Sequence, residues 1–508
     1  MSDARSAAQL TAATTDGVRW ISLARVASEI LLLGSMVVLA HLIAPADFGR
    51  FAVAVIVQEL AMGIPTEGVG SALVQRDAVR REHLQAGVFL TLAFAAVLAG
   101  VTLVLCALIV GPVLGDGTAE LVRLSTPMFL LASLGTVPMA LLRRRLDFRR
   151  LSVIEMVSGA VRALVAVALA ALAGLDGSAL VLGALAGTAF ATALAFAAAP
   201  APLPRLRRQA VRDIAGYGLP ASLASISWVG FRNGDYAVIS ARLGATSAGI
   251  YWRAFQLAVE YQRKISVVMY QVAFPVLSRS DSPEEMFALR GRMVRLLTVA
   301  LFPLIAGLAI TAPQIIPWMF GPQWTEAVVP TQILCAAGAA TLVIDAVGTT
   351  LMATGRPRAL LAYGVGHFVV YVSAVVVVAH LGLVAVATAA VVVHTAFLVV
   401  AYLMLIPGSP AAALRCFWAD IAPASVSCAA LVAVATPVGW AVSTAVVPGV
   451  VVVAAVTLVA APAYLLTLRV GFRGAWGDLA KLVGRVLPTG PLLARARRLA
   501  PAAARSAT

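Results

Sequence analysis

Hydrophobic residues occur in runs of about twenty or more positions, separated by short polar or Gly/Pro segments, from Val18 to Leu468. A bilayer core of about 30 Å needs ~20 apolar residues in a helix, whereas transmembrane β-strands alternate in polarity over ~10 residues. The runs in this chain do not alternate. The pattern therefore predicts an all-α integral membrane protein with about fourteen transmembrane helices, the first at about 18–44 and the last at about 445–468.

The composition agrees with this prediction, because 61% of the residues are hydrophobic and only 12% are charged. The net charge of +15 could indicate nucleic-acid binding, but its distribution argues against it. Basic residues collect in alternate connections, such as RRRLDFRR (143–150), while opposite connections such as GLDGS (174–178) have none. The positive-inside rule then places both termini in the cytoplasm, and the charge is a topology signal with some attraction for membrane lipids.

The two halves of the chain contain a weak internal repeat. HLIAPADFGRFA (41–52) resembles ARLGATSAGIYW (241–252), so that Gly49 matches Gly249 at an offset of 200 residues. Six predicted spans separate the halves, which makes the repeats parallel and predicts two six-helix lobes around a central cavity. The predicted organisation is an N-terminal tail (1–17), first lobe (18–199), basic linker (200–213), second lobe (214–406), two further helices (407–468) and a basic, partly amphipathic tail (469–508).

Several function classes lack the residues that they need. The chain has two lysines, Lys264 and Lys481, and neither follows a glycine, so the phosphate-binding loop of an ATPase is absent. The five histidines and four cysteines show no metal-ligand spacing, which predicts no metal site, no cofactor and no disulfide. The predicted extracytoplasmic loops are too short for the acid–base groups of a membrane glycosyltransferase or polymerase. The sequence therefore predicts no catalytic residues.

Ionisable residues inside the predicted spans are the main functional candidates. A charge at the middle of a span costs ~2.5–3.5 kcal/mol, so each needs a polar partner or a wet cavity. Several candidates stand three or four positions apart and so share a helix face, which leaves open whether they contact a substrate or pair with each other. These sets are Arg25 with Glu29, Arg232 with Asp235, and Glu260 with Arg263 and Lys264.

Other intramembrane residues have different predicted roles. Glu59 and Asp345 are candidates for proton or cation coupling. Pro65 and Gly68 predict a kink or a broken turn, which would suit a gate. Arg253, close to a predicted span end, is interpreted as structural, either buried in an ion pair or reaching the membrane surface.

The chain resembles the polysaccharide-synthesis flippases of the multidrug/oligosaccharidyl-lipid/polysaccharide exporter superfamily. The similarity extends over about 18–405, in the expected order. It rests on LIAPADFGRFAVAV, GVGSALVQRD, VPMALLRRRLDFRRLSVIE, FRNGDYAVISARLGATSAGIYWRAFQLA, VAFPVLSR, FGPQWTEAVVPTQIL and LMATGRPR. The family's N-R-N-x-D motif keeps Arg232, Asn233 and Asp235, whereas its D-L-G motif is replaced by Thr66, Glu67 and Gly68.

The resemblance implies a fourteen-helix exporter that moves a polyprenyl-diphosphate-linked oligosaccharide from the cytoplasmic to the outer leaflet of a bacterial inner membrane. It implies a cationic cavity lined by the first, second, seventh and eighth helices, where Arg25, Arg232, Arg263 and Lys264 fall. A polysaccharide polymerase and other assembly proteins are candidate partners. The main alternative is a cation-coupled efflux transporter for small molecules on the same fold, and a membrane polymerase or ligase is a second one.

Overall fold

A computed structural model describes residues 28–486 except 77, 265, 267–281, 355, 407 and 444–448. Its long regular elements, numbered in chain order, are α1 Ser28–Leu42, α2 Pro45–Pro65, α3 Ser71–Gln75, α4 Arg81–Leu105, α5 Gly111–Leu114, α6 Asp116–Ser125, α7 Pro127–Arg144, α8 Phe148–Ala173, α9 Gly177–Ala198, α10 Arg208–Phe255, α11 Pro283–Phe320, α12 Val328–Ala353, α13 Pro357–Val378, α14 Leu383–Leu405, α15 Pro410–Ser443, α16 Gly449–Gly471 and α17 Arg473–Val486.

All regular structure in the described residues is helical, and eleven of the helical segments are long and apolar enough to cross a membrane. The predicted class of polytopic α-helical membrane protein is confirmed. The count of fourteen spans stays a prediction, because the described residues omit the start of the first predicted span and most of the region around 265–281.

In the part of the chain that the structure describes, three π-helical turns interrupt the helices, and π turns locally widen the hydrogen-bond ladder. Thr66–Gly70 joins α2 to α3, Cys106–Val110 joins α4 to α5, and Gln256–Glu260 follows α10. The first of these turns begins directly after Pro65, where the sequence predicts a kink. Within α10, Gly244 has a φ of 85°, a conformation that glycine tolerates best, and two helical segments meet there at a kink.

The described helices form two compact units. The first contains the residues up to 255 together with 316–330 and 364–390. The second contains 256–315, 331–363 and the residues from 391 onward. The lobe and linker limits expected from the sequence remain a prediction.

In the first unit, α2 crosses the end of α10 at two glycines that the sequence repeat matches to each other. A Cβ on Gly49 would collide with the carbonyl oxygen of Ala245, and a Cβ on Gly249 would collide with that of Pro45. Each would also come within 2.8 Å of the other glycine's amide nitrogen. The contacts are reciprocal, so the two copies of the repeated turn meet at a crossing that only glycine permits.

Near the start of α10, polar contacts join this helix to Arg76, which follows α3, and to His83 of α4. Asp213 near the start of α10 accepts from Arg76 at 3.0 Å and lies 3.4 Å from the His83 ring nitrogen. Arg144 donates to backbone carbonyls at the end of α3, including that of Leu73 at 3.3 Å. A side chain that supplies donors to the free carbonyls of a helix end stabilises that end.

The second unit contains a buried ion pair between α11 and α15. Arg290 is 2% exposed, and its Nη1 lies 2.8 Å from Asp420 Oδ2. Tyr402 of α14 donates its hydroxyl to the same carboxylate at 2.8 Å, and its ring lies 4.8 Å below the guanidinium. Arg295 approaches the other carboxylate oxygen at 3.6 Å. The cluster therefore fastens three helices to one another at a single carboxylate.

The amphipathic helix α17 packs on the second unit rather than presenting its whole apolar face to the membrane. Trp476 and Leu479 lie against a cluster that includes Tyr464 and Leu468 of α16. On the polar side, Asp478 lies 3.3 Å from Arg292, whose side chain is 60% exposed.

Candidate functional site

Two of the predicted polar residues meet in the middle of the first unit. Asn233 of α10 is buried, and its Nδ2 donates to Glu59 Oε2 of α2 at 2.9 Å and to the Val229 carbonyl at 3.1 Å. Glu59 is half-buried, and a carboxylate inside a membrane protein is tolerated only where it is hydrogen-bonded or solvated. The amide thus links α10 to the residue predicted to couple an ion.

Asp235 lies two residues after Asn233 on α10, and tyrosine residues donate its hydrogen bonds. It is 1% exposed, and its Oδ2 accepts from the Tyr371 hydroxyl at 2.8 Å while Oδ1 accepts from the Tyr236 amide at 2.9 Å. The Tyr251 hydroxyl lies 3.1 Å from that of Tyr371. The sequence predicted Arg232 as the partner, and that side chain lies outside the described residues. The network that is described satisfies the carboxylate with hydroxyl and amide donors.

The structure describes the remaining candidates of the first unit only in part. Arg25 lies outside the described residues, so its predicted pairing with Glu29 has no structural description. Glu29 itself is half-buried on α1. For Arg232 the structure describes the helical backbone of α10 alone.

The π turn that begins after Pro65 and contains Gly68 packs closely on α10. A Cβ on Gly68 would meet the Ser222 hydroxyl and would come within 3.2 Å of the Gly218 carbonyl. Ser222 Oγ donates to the Ile64 carbonyl at 3.2 Å. A π turn at a tight helix crossing is a position where a helix can change its bend without losing many hydrogen bonds.

In the second unit, the predicted charge set lies on one helical segment. Glu260 is buried, and Arg263 Nη2 lies 3.5 Å from its Oε2. The Lys264 ammonium lies 5.2 Å from the centre of the Tyr261 ring, within cation–π range. Asp345 is half-buried on α12 of the same unit, and its carbonyl accepts from the Thr349 hydroxyl at 3.0 Å.

Sequence reasoning missed an aromatic cluster around Arg253 in the first unit. This side chain is 2% exposed, so the expectation that it could reach the membrane surface is wrong. The guanidinium carbon lies 4.7–5.4 Å from the ring centres of Phe48, Trp252, Phe320 and Trp324. Trp324 also donates to the Ala40 carbonyl at 3.0 Å. The aromatic spacing was a signal, because FGPQWTE (320–326) carries two rings and YWRAF (251–255) carries three.

We refer to these five side chains, Phe48, Trp252, Arg253, Phe320 and Trp324, as the Arg253 cluster. It lies beside the Gly49–Gly249 crossing, because Phe48 and Trp252 are close in sequence to the two glycines. Each cation–π contact of a desolvated guanidinium contributes about 0.5–2 kcal/mol. The cluster therefore ties the start of α2 to the end of α10 and to the segment 320–324.

Within the described residues, no group of three or more His, Cys, Asp or Glu side chains could hold a metal ion. The cysteines Cys106, Cys335, Cys416 and Cys428 are free thiols.

Comparison with known proteins places this chain among polysaccharide biosynthesis proteins. A family described as "Polysaccharide biosynthesis protein" matches residues 38–329, which is more than half of the chain. The lipopolysaccharide biosynthesis protein WzxC of Escherichia coli is 24% identical over 72% of this chain and 75% of that protein. The teichuronic acid biosynthesis protein TuaB of Bacillus subtilis is 25% identical over 71% of this chain and 76% of that protein.

Among solved structures, the lipid II flippase MurJ in an inward closed conformation matches with a TM-score of 0.72. The match covers 89% of this chain and 98% of that protein at 12% sequence identity. This similarity establishes a shared fold over nearly the whole length of both chains.

Proposed function

Because this chain belongs to the polysaccharide biosynthesis protein family, we propose that it is a flippase for polyprenyl-diphosphate-linked oligosaccharide. The observation that carries the proposal is the similarity of about three quarters of the chain to proteins named for the biosynthesis of lipopolysaccharide and teichuronic acid. Such polymers are built from saccharides that must reach the outer side of the membrane. In this account the chain performs no covalent chemistry, and a polymerase and other assembly proteins receive its product.

The proposed mechanism is alternating access with cationic side chains that bind the diphosphate. Arg25, Arg232, Arg263 and Lys264 replace water around the phosphate oxygens while the polyprenyl tail remains in lipid. Guanidinium groups suit this role because their fork of donors matches phosphate geometry. Arg263 would exchange its contact with Glu260 for the substrate.

The membrane potential can give the movement a direction. A charge that crosses 100 mV changes free energy by ~2.3 kcal/mol, so a headgroup with about two negative charges gains roughly 4–5 kcal/mol on leaving an inside-negative cell. Ion exchange at Glu59 or Asp345 is a further source of coupling.

We assign the Gly49–Gly249 crossing and the Arg253 cluster to the extracytoplasmic end, because the positive-inside rule predicts that both termini lie in the cytoplasm. Both features hold the first and second copies of the repeated turn together. Release of the saccharide to the outer side requires that this end open, and the π turn after Pro65, with Gly68, is the proposed point of bending in α2.

A cation-coupled efflux transporter for small molecules is the second candidate. The observation in its favour is that Glu59 and Asp235 place two carboxylates inside the first unit. Organic cations prefer acidic sites, whereas a diphosphate requires net positive charge. A strain lacking its drug exporters distinguishes the two, because only the efflux function would restore drug resistance.

Complementation of a bacterial strain that lacks its own flippase tests the proposed function. Wild-type protein should restore surface polysaccharide, while Arg232→Ala and Arg25→Ala should each reduce it at least about tenfold, since a charge-assisted hydrogen bond contributes ~1.5–3 kcal/mol. Arg149→Ala, at an exposed position in the first turn of α8, is the matched control and should complement fully.

Two results would contradict this account. Wild-type protein that restores no surface polysaccharide, despite normal expression in strains with several different saccharides, would refute the flippase assignment. Full complementation by both alanine variants at normal protein level would refute the proposed diphosphate contacts while leaving the flippase assignment intact.

A further inference from the structure

Arg162 lies near the middle of the 26-residue helix α8, and its guanidinium has no hydrogen bond or ion pair among the described residues. At ~1.5 Å per residue it is about 16 Å from the nearer helix end, which is farther than an arginine side chain reaches. The side chain is half-buried. Neither a partner on the helix nor the membrane surface therefore neutralises this cation.

One side of α8 is apolar and exposed at Leu164, which is 64% exposed, and at Val153, which is 46% exposed and lies about three turns away on the same side. Arg162 lies about 160° around the helix from Leu164 at 100° per residue, and Glu155 and Ser158 share its side. An apolar exposed face suits lipid, whereas the polar side with Arg162 suits the interior of a membrane-embedded protein.

Two glycines of α9 fix the backbone at Arg162. A Cβ on Gly187 would come within 2.9 Å of the Arg162 Cβ and 2.8 Å of the Ser158 carbonyl. A Cβ on Gly183, one turn earlier, would come within 2.7 Å of the Arg162 carbonyl. Close packing of these small residues fixes the backbone of α8 at Arg162. The side chain therefore starts from a rigid position, as the side chains of binding groups usually do.

We propose that Arg162 binds an anionic group of the translocated lipid-linked saccharide, either a phosphate of the diphosphate or a carboxylate on the glycan. The proposal rests on the proposed flippase function and adds a contact on α8 to those expected elsewhere. An arginine deep in a membrane protein is costly unless an anion meets it there. A phosphate and a carboxylate can each accept two parallel hydrogen bonds from a guanidinium. On this side of α8, Glu155 is the group that would repel such an anion.

Binding to the purified full-length protein in lipid nanodiscs tests the proposal with three probes. These are a polyprenyl diphosphate without sugar, one that carries a neutral oligosaccharide, and one whose oligosaccharide contains a uronic acid. Arg162→Gln should raise the dissociation constant at least tenfold for the probes that use this contact. Arg162→Lys, which keeps the charge and loses the fork of donors, should give a smaller rise. Leu164→Ala, on the opposite face, is the matched control and should bind as wild type.

The pattern over the probes identifies the anion. An equal loss for all three probes assigns the contact to the diphosphate, whereas a loss confined to the uronic acid probe assigns it to the glycan carboxylate. Gly187→Val should reproduce part of the loss, because the added side chain displaces Arg162 without removing it. If Arg162→Gln fails to fold, as judged by gel filtration, Arg162→Lys and Gly187→Val carry the comparison.

Wild-type affinity for all three probes in the folded Arg162 variants and in Gly187→Val would overturn the assignment of Arg162 and leave the flippase function standing. A wild-type protein that binds none of the probes would overturn both.

Discussion

Replacement of Asp420 by asparagine is expected to destabilise the protein by about 3–5 kcal/mol, because it leaves Arg290 buried without its counter-ion. Arg290 and Asp420 are both about 2% exposed, so water cannot replace the lost charge. Tyr402 also loses the carboxylate that accepts its hydroxyl. The variant should unfold at a markedly lower temperature in detergent, which thermal unfolding followed by tryptophan fluorescence measures.

The chain offers a matched control for this effect. Asp478→Asn removes a carboxylate from the exposed pair with Arg292, and exposed pairs contribute only about 0–1 kcal/mol. The double variant Arg290→Met with Asp420→Leu removes both buried charges and should recover much of the loss. If Asp420→Asn unfolds at the same temperature as Asp478→Asn, the buried pair does not hold α11 to α15 as described.

Leucine at position 49 or 249 is expected to prevent closure of the crossing between α2 and α10. The added Cβ meets a backbone carbonyl, which no change of side-chain rotamer relieves, and overpacking of this kind costs about 1–3 kcal/mol or more. Because ~1.4 kcal/mol corresponds to a tenfold change in a population, either variant should shift the protein strongly toward separated turns. Saccharide export in the complementation assay should fall at least tenfold as a result.

The reactivity of a cysteine introduced beside the crossing measures directly how far the two turns separate. Ala248 is fully buried beside the crossing, so Ala248→Cys in a background without the four native cysteines should react slowly with a membrane-impermeant maleimide. Gly249→Leu should accelerate the reaction at least tenfold. Gly100→Leu is the control, because a Cβ at Gly100 meets no atom within 4 Å. Equal reaction rates in Gly249→Leu and Gly100→Leu would show that the crossing is not a closure point.

The sequence predicted the membrane class because long apolar runs have one common structural outcome in a bilayer. It also indicated the turn after Pro65, since proline removes a backbone hydrogen bond. The repeat that matches Gly49 to Gly249 gave the two positions that meet at the crossing. Such features are local or periodic, so a sequence displays them directly.

The partners of the buried charges could not be predicted in the same way. Helical spacing indicated only neighbours on one helix, so it suggested Arg232 for Asp235 and could not indicate the Tyr371 hydroxyl of α13, which donates to this carboxylate. The pair of Arg290 and Asp420 joins residues 130 positions apart, and no periodicity connects them. The aromatic partners of Arg253 could not be predicted either, because its cluster is assembled from three separate parts of the chain.

Translocation of lipid in reconstituted vesicles tests the central claim most directly. Vesicles that contain the purified full-length protein are loaded with a polyprenyl diphosphate-linked oligosaccharide on the inner leaflet, and a glycan-binding or glycan-modifying reagent added outside reports its arrival at the outer leaflet. The account predicts time-dependent exposure that accelerates with an inside-negative potential, is absent from protein-free vesicles, and falls at least tenfold with Gly249→Leu. Exposure no faster than in protein-free vesicles, with folded protein and intact lipid, would contradict it.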